Sequence, residues 1–262
     1  MGPRLRIVAV NDVYTLENLP RLKTLVAHYR AESPADAMLV TLAGDFVSPS
    51  LLSSLDHGFA MVDCMNDVGI THAIFGNHED DVPSEELHKR VGELRATCLG
   101  TNLRGYDPRM PAFDIVEVKG ASRTVRVGLL GVVLADPTIY RRPPFDGKAM
   151  VPANVAALEE TRRLFLHENC TSVVPLTHQS IHDDKVLAQG QRVPPFPVIV
   201  GGHEHTVFVE RIKGTWIVKA SAEGACAVIV DLEWAQRDRE ERFADVPRVA
   251  VKVDDVANYP EN

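Results

Sequence analysis

Five short apolar runs, rich in β-branched residues, alternate with helical segments along most of this chain, and every one of them ends on Gly, Asp, Asn or His. Leu5 to Val10 ends in Asn11-Asp12, Met38 to Ala43 in Gly44-Asp45, and Thr71 to Phe75 in Gly76-Asn77-His78-Glu79. Ser172 to Leu176 ends in Thr177-His178, and Val198 to Val200 in Gly201-Gly202-His203-Glu204-His205. Runs this short and this apolar fit strands buried on both faces, which in parallel sheets are covered by helices. The intervening segments read as helices. Leu19 to Arg30 places Leu19, Leu22, Leu25, Val26 and Tyr29 on one face, and Gly58 to Asp67, Ala153 to Asn169 and Ile181 to Gln189 follow the same period. Pro83-Ser84-Glu85-Glu86 opens another helix, with Pro and acids in the first turn, where the helix dipole favours them.

Further strands are expected at Cys98 to Asn102, Phe113 to Val118 and Thr124 to Leu134. From Thr206 the pattern turns to hairpins: Val207 to Ile212 and Thr215 to Ala220 around Lys213-Gly214, then Ala225 to Glu233 and Arg248 to Val253. Gln236 to Asp245 is charged and reads as an exposed loop. The expectation is an α/β fold with two sheets and helices outside, in a single domain over residues 1–262.

Composition narrows the function. Asp plus Glu outnumber Lys plus Arg by 36 to 28, a net charge of −8, and the basic residues form no run. A nucleic-acid groove and an anionic membrane surface are therefore poor fits. No stretch has the 18 or so apolar residues of a membrane-spanning helix, and the N-terminal apolar run is too short for a secretory signal. Cys64, Cys98, Cys170 and Cys226 lie far apart without zinc spacing, as expected for reduced thiols in a cytoplasmic protein.

Each strand end alone has an ordinary explanation, such as an Asx-turn at Asp12 or a tight turn at Gly44-Asp45. Together they point elsewhere, because ligands in α/β sheets bind at the carboxyl ends of the strands. Turns seldom need histidine. A set of Asp, Asn and His without Cys suits Mn, Fe, Co or Zn rather than a structural zinc. The groups outnumber the ligands of one ion, so two divalent ions sharing a carboxylate is the economical account, an arrangement used for displacement at phosphorus.

In order and spacing, Asp12, Gly44-Asp45, Gly76-Asn77-His78-Glu79, His178 and Gly202-His203-Glu204-His205 resemble the five blocks of calcineurin-like metallophosphoesterases. The flanking residues, including Val10-Asn11-Asp12-Val13, Leu42-Ala43-Gly44-Asp45 and Leu176-Thr177-His178, look most like the catalytic domain of the 5′-nucleotidase branch. The resemblance covers roughly residues 5 to 233. It implies a four-layer α/β/β/α sandwich of two mixed sheets and a dinuclear site hydrolysing a small phosphorylated substrate, a nucleotide among them, with a metal-bridging hydroxide as nucleophile. Asp45 would bridge the ions, Asp12 and His205 would hold the first, and Asn77, His178 and His203 the second. His78 would be the general acid, oriented by Asp81, while Glu79 and Glu204 would support the ligands from behind.

Two departures stand out. The usual first block, Asp-x-His, reads Asp12-Val13-Tyr14, so Tyr14 stands where a histidine ligand is expected. Its phenol could ligate, or hold a neutral hydroxyl near the ions; the second, weaker role is the one expected. The chain also ends soon after its last strand, so the C-terminal nucleotide-specificity domain of that branch is expected to be absent. The rival readings are a phosphodiesterase on the same site and a metal-impaired binding scaffold.

Overall fold

The computed structural model describes residues 2–32, 35–148, 150–191, 194–236 and 245–262. Two six-stranded sheets stack face to face. The first contains β1 (Arg4–Val10), β2 (Ala37–Ala43), β3 (His72–Ile74), β4 (Thr97–Leu99), β11 (Cys226–Glu233) and β12 (Arg248–Asp255), in the order β12-β11-β1-β2-β3-β4. The second contains β5 (Phe113–Lys119), β6 (Thr124–Val133), β7 (Ser172–His178), β8 (Val198–Gly201), β9 (Phe208–Ile212) and β10 (Thr215–Lys219), in the order β5-β6-β7-β8-β10-β9. Parallel pairing unites β1 to β4 in one sheet and β6, β7, β8 and β10 in the other, and the remaining strands join antiparallel at the edges.

The apolar runs are explained by burial on both faces. Leu5, Ile7 and Ala9 of β1 point between the sheets, against Leu129, Leu176 and Val200 of the facing sheet. Val8 and Val10 point the other way, into a second core. That core is closed by α1 (Leu19–Glu32), α3 (Phe59–Val68) and α4 (Ser84–Glu93), and by Phe145 from the short turn α5 (Pro144–Gly147), while the one-turn α2 (Ser53–Asp56) lies outside it with Leu55 exposed. On the far side, α6 (Ala153–Leu166) and α7 (Ile181–Gly190) cover the second sheet through Ala156, Leu164 and Leu187. The result is the expected α/β/β/α sandwich. The buried face of α1 consists of the five residues its periodicity selected.

The differences from expectation are local. Helix α6 stops at Leu166 rather than Asn169, because Asn169 adopts a left-handed conformation (φ 54°) that turns the chain into β7. Strand β4 ends at Leu99. Beyond it Asn102 leaves the sheet and spends its amide on the backbone of Val133 and Val151. The one-turn helices α2 and α5 and the 3₁₀ turns His78–Asp81, Pro137–Ile139 and Val256–Asn258 follow no sequence period. Most of the charged Gln236 to Asp245 stretch lies outside the described residues. No helix among the described residues is long and apolar enough to cross a membrane.

Candidate metal centre

Parallel strands present their carboxyl ends at one edge of the sandwich, where the two sheets meet. Asp12, Asp45 and the Asn77-His78 turn come from the first sheet, and His178, His203 and His205 from the second. Backbone clasps hold these loops together: Asp12 N–H donates to Gly44 O (3.0 Å), Val13 N–H to Asp45 O (2.9 Å), and Gly202 N–H to Thr177 O (2.8 Å). Asp12 and Asp45 both take left-handed conformations (φ 54°), which aspartate tolerates better than most residues. Two glycines are required by close approach. A Cβ on Gly76 would collide with the Asp45 carboxylate, and one on Gly44, itself at φ 81°, with the His178 ring.

Glu79 binds the loops from beneath. Fully buried, its carboxylate accepts the N–H groups of Asp45 (3.0 Å), Phe46 (2.8 Å), Val47 (2.9 Å) and Gly76. Burial, reinforced by the Asp45 charge, pushes its carboxyl up to about 7.

Above this floor the charged groups converge. One ligand atom each from Asp12, Asp45 and His178 lie within 4.8 Å of one another, all buried. The Asp12 Oδ2 accepts from Asn11 Nδ2 (2.6 Å) and His203 N–H (2.9 Å), and Oδ1 lies 3.3 Å from His205 Nε2. The Asp45 Oδ1 accepts His78 N–H (2.9 Å), and Oδ2 lies 3.2 Å from His178 Nε2. The His178 and His203 rings meet edge-to-face at 5.3 Å. Burial alone would lower the proton affinity of His178, but the Asp45 carboxylate lifts it to about 9. Burial likewise works against the Asp45 charge, yet His178 and the His78 N–H hold its carboxyl below the usual range. His203 is pushed down by burial and by its neighbour His178.

Tyr14 enters this group directly. Its hydroxyl is 3.2 Å from Asp12 Oδ1, 3.2 Å from Asp45 Oδ2 and 3.1 Å from His205 Nε2. Burial and the two carboxylates raise its proton affinity, which favours the neutral phenol as donor. The Glu223 carboxylate fixes the loop by accepting the N–H groups of Tyr14 and Thr15 (2.9 Å each). His78 stands beside the cluster with Nδ1 2.7 Å from Asp81 Oδ2. The nine residues expected at the site thus lie together at this edge of the sandwich. His182 is exposed on α7, and Asn102 serves the backbone.

The donor set fits metal ions. His178 Nδ1 donates to Ala43 O (2.8 Å), so that loss of the Nε2 proton would turn a lone pair toward the Asp45 carboxylate, where a cation can take the proton's place. Among the described residues the buried Asn77 Oδ1 has no hydrogen-bond partner, and Nε2 has the Asp45 ion pair alone. Buried acceptors aligned without a donor are costly unless a cation lies between them.

One part of the site escaped sequence reasoning. Lys219 is fully buried and donates to Gln179 O and Gly202 O (2.7 Å each), pairing also with Asp184 Oδ2 (2.9 Å) and Glu204. It thus holds the carbonyls just after His178 and just before His203. The available signal was a lone lysine inside the apolar run Thr215 to Ala220.

Residues 5–207 match the calcineurin-like phosphoesterase family. The chain is 23% identical to Endonuclease YhcR of Bacillus subtilis (strain 168) over 87% of its length, and 24% identical to the Trifunctional nucleotide phosphoesterase protein YfkN of the same organism over 78%. It spans only 22% and 16% of those relatives. The solved structure of the Thermus thermophilus sulfate thiohydrolase SoxB in complex with glycerol superposes with a TM-score of 0.77 at 26% identity, over 93% of this chain and 44% of that one.

Proposed function

The chain belongs to the calcineurin-like phosphoesterase family, and on that premise we propose that it is a dinuclear metal-dependent phosphomonoesterase acting on a small phosphorylated substrate of nucleotide type. The observation that carries the metal reading is the convergence of buried ligand atoms from Asp12, Asp45 and His178 within 4.8 Å of one another, together with a buried Asn77 Oδ1 that has no hydrogen-bond partner among the described residues. In this reading Asp12 and His205 would hold one ion, Asn77, His178 and His203 the other, and the Asp45 carboxylate would serve both. When bound, such ions neutralise phosphate oxygens and activate a water at neutral pH. His78 gives a proton from its imidazole to the departing oxygen, and Asp81 fixes the ring by accepting from Nδ1. Tyr14 acts as a neutral donor that locks Asp12 and Asp45 in register. The nucleotide preference is supported by the flanking motifs and by the name of the YfkN relative. Free cysteines, none of them paired among the described residues, agree with a reducing, cytoplasmic setting.

A phosphodiesterase is the second reading, favoured by the endonuclease name of the YhcR relative. The test is to strip the protein with chelator, reload it with Mn, Co, Zn or Fe, count bound ions, and assay AMP beside bis-p-nitrophenyl phosphate. Expected are two ions per chain and faster release from the monoester, both lost in Asp45→Asn. Hydrolysis of neither ester, or activity untouched by Asp45→Asn, overturns the reading. A visible phenolate charge-transfer band on iron loading, lost in Tyr14→Phe, overturns the neutral role of Tyr14.

A further inference from the structure

Next to His78 a small cleft of about 170 Å³ opens between the 3₁₀ turn and the segment 139–142, lined by Asn77, His78, Asp81, Tyr140, Arg141 and Arg142 among others. Its acids are already served. Asp81 accepts from His78 Nδ1 at 2.7 Å, and Asp80 accepts Phe145 N–H at 2.8 Å. Arg142 is committed to structure, donating from Nη2 to Asp80 O (2.7 Å) and Val82 O (2.9 Å), which pins the segment to the turn that carries His78. Arg141 is different. Its side chain is 86% exposed and, among the described residues, has one ion pair, Nε to Asp81 Oδ1, at a long 3.7 Å. A guanidinium whose terminal Nη donors have no partner among the described residues is thus held over the His78–Asp81 pair by a neighbour that is firmly anchored.

The cleft is a poor seat for a nucleobase. The Tyr140 ring lies edge-on to Phe145 at 5.9 Å, and its hydroxyl is spent on Leu134 O (2.6 Å). The volume also falls below the 300 Å³ or so at which drug-sized ligands are enclosed. What remains is room for one small group and a planar cation that recognises carboxylate or phosphate through paired donors.

We propose that Arg141 and this cleft form a subsite for a second anionic group on the leaving-group side, so that preferred substrates are phosphoesters or phosphoanhydrides whose departing part carries its own carboxylate or phosphate. The inference rests on the hydrolase reading above, because it takes His78 to mark the leaving-group side.

Two matched pairs test it: glycerol 3-phosphate against 3-phosphoglycerate, which adds a carboxylate, and AMP against ADP, which adds a phosphate to the leaving group. For wild type, Arg141→Ala and Arg141→Lys, kcat/KM is measured for phosphate release, and affinity by equilibrium titration with the metal-loaded protein. Within at least one pair, the member with the extra anion is expected to be preferred. That preference should fall about ten- to hundredfold in Arg141→Ala, chiefly through KM, with partial rescue by Arg141→Lys. The pair that responds identifies the anion. If nothing is hydrolysed but the affinity preference exists and falls in Arg141→Ala, the subsite stands and the hydrolase reading falls. No preference in wild type, or a preference unchanged in Arg141→Ala, overturns the subsite.

Discussion

Replacing Lys219 by Met keeps most of the side-chain volume and removes the charge, so the cost is electrostatic rather than a cavity. In the folded protein Lys219 is fully buried against Asp184, itself fully buried, and Glu204, and it satisfies the carbonyls of Gln179 and Gly202. Without it, Asp184 keeps, among the described residues, the Thr177 hydroxyl (2.7 Å) and the Gln179 amide (3.1 Å) as its side-chain donors. Removing one partner of a buried pair costs about 3–5 kcal/mol, because it strands the other charge. For a chain of this size that corresponds to a fall in Tm of roughly 6–20 °C. Urea unfolding of chelated protein, followed by the fluorescence of the buried Trp234, reads the loss without interference from metal. The pH dependence checks the mechanism. Burial already pushes the Asp184 carboxyl up against the pull of Lys219, and it rises further when Lys219 is gone. An acid raised above its unfolded value contributes most stability below that value and loses it as pH rises through the folded one. The deficit of Lys219→Met relative to wild type should therefore widen from mildly acidic to neutral pH. Adding Asp184→Asn, which neutralises the stranded acid, should recover part of it. A loss below about 1 kcal/mol at neutral pH, or a deficit that ignores Asp184→Asn, refutes the argument.

Two further outcomes follow from the loops. Glu79, raised to about 7 in the folded chain, contributes stability that is complete below about 4.5 and lost as pH rises through 7, so the stability difference between wild type and Glu79→Gln should change over that window in chelated protein. Calorimetry of the two proteins across the window checks this, and a constant difference contradicts it. His78→Ala should lower kcat about 10²–10⁴-fold with metal content unchanged, and Asp81→Asn by a smaller factor, since it disturbs orientation and leaves the proton donor in place. Steady-state kinetics paired with elemental analysis separates that result from simple loss of metal.

Much of the molecule was legible in its periodicities. Two-sided burial of β1 is written in Leu5, Ile7, Val8, Ala9 and Val10, and the buried face of α1 in its i, i+3, i+4 spacing. Elements held by single local hydrogen bonds left no such record, and α6 and β4 ended early where Asn169 and Asn102 found local roles. Strand-end chemistry was equally plain, because Gly beside Asp or His at the end of a buried run has few other uses. The supporting groups were not. Glu79 sits one residue from His78, but that it gathers four N–H groups from two loops depends on how β2 and β3 pair.

By itself, then, the sequence determined a layered α/β chain with its polar residues at the strand ends, since burial period and turn chemistry are local properties. The stacking of the two sheets decided the rest. It set His203 N–H against Asp12 and the Tyr14 hydroxyl against His205, partners 191 residues apart in each case. It also buried Lys219 under both histidine loops and held Arg141 over Asp81. Such contacts join residues from different elements, and no spacing along the chain records which elements will meet.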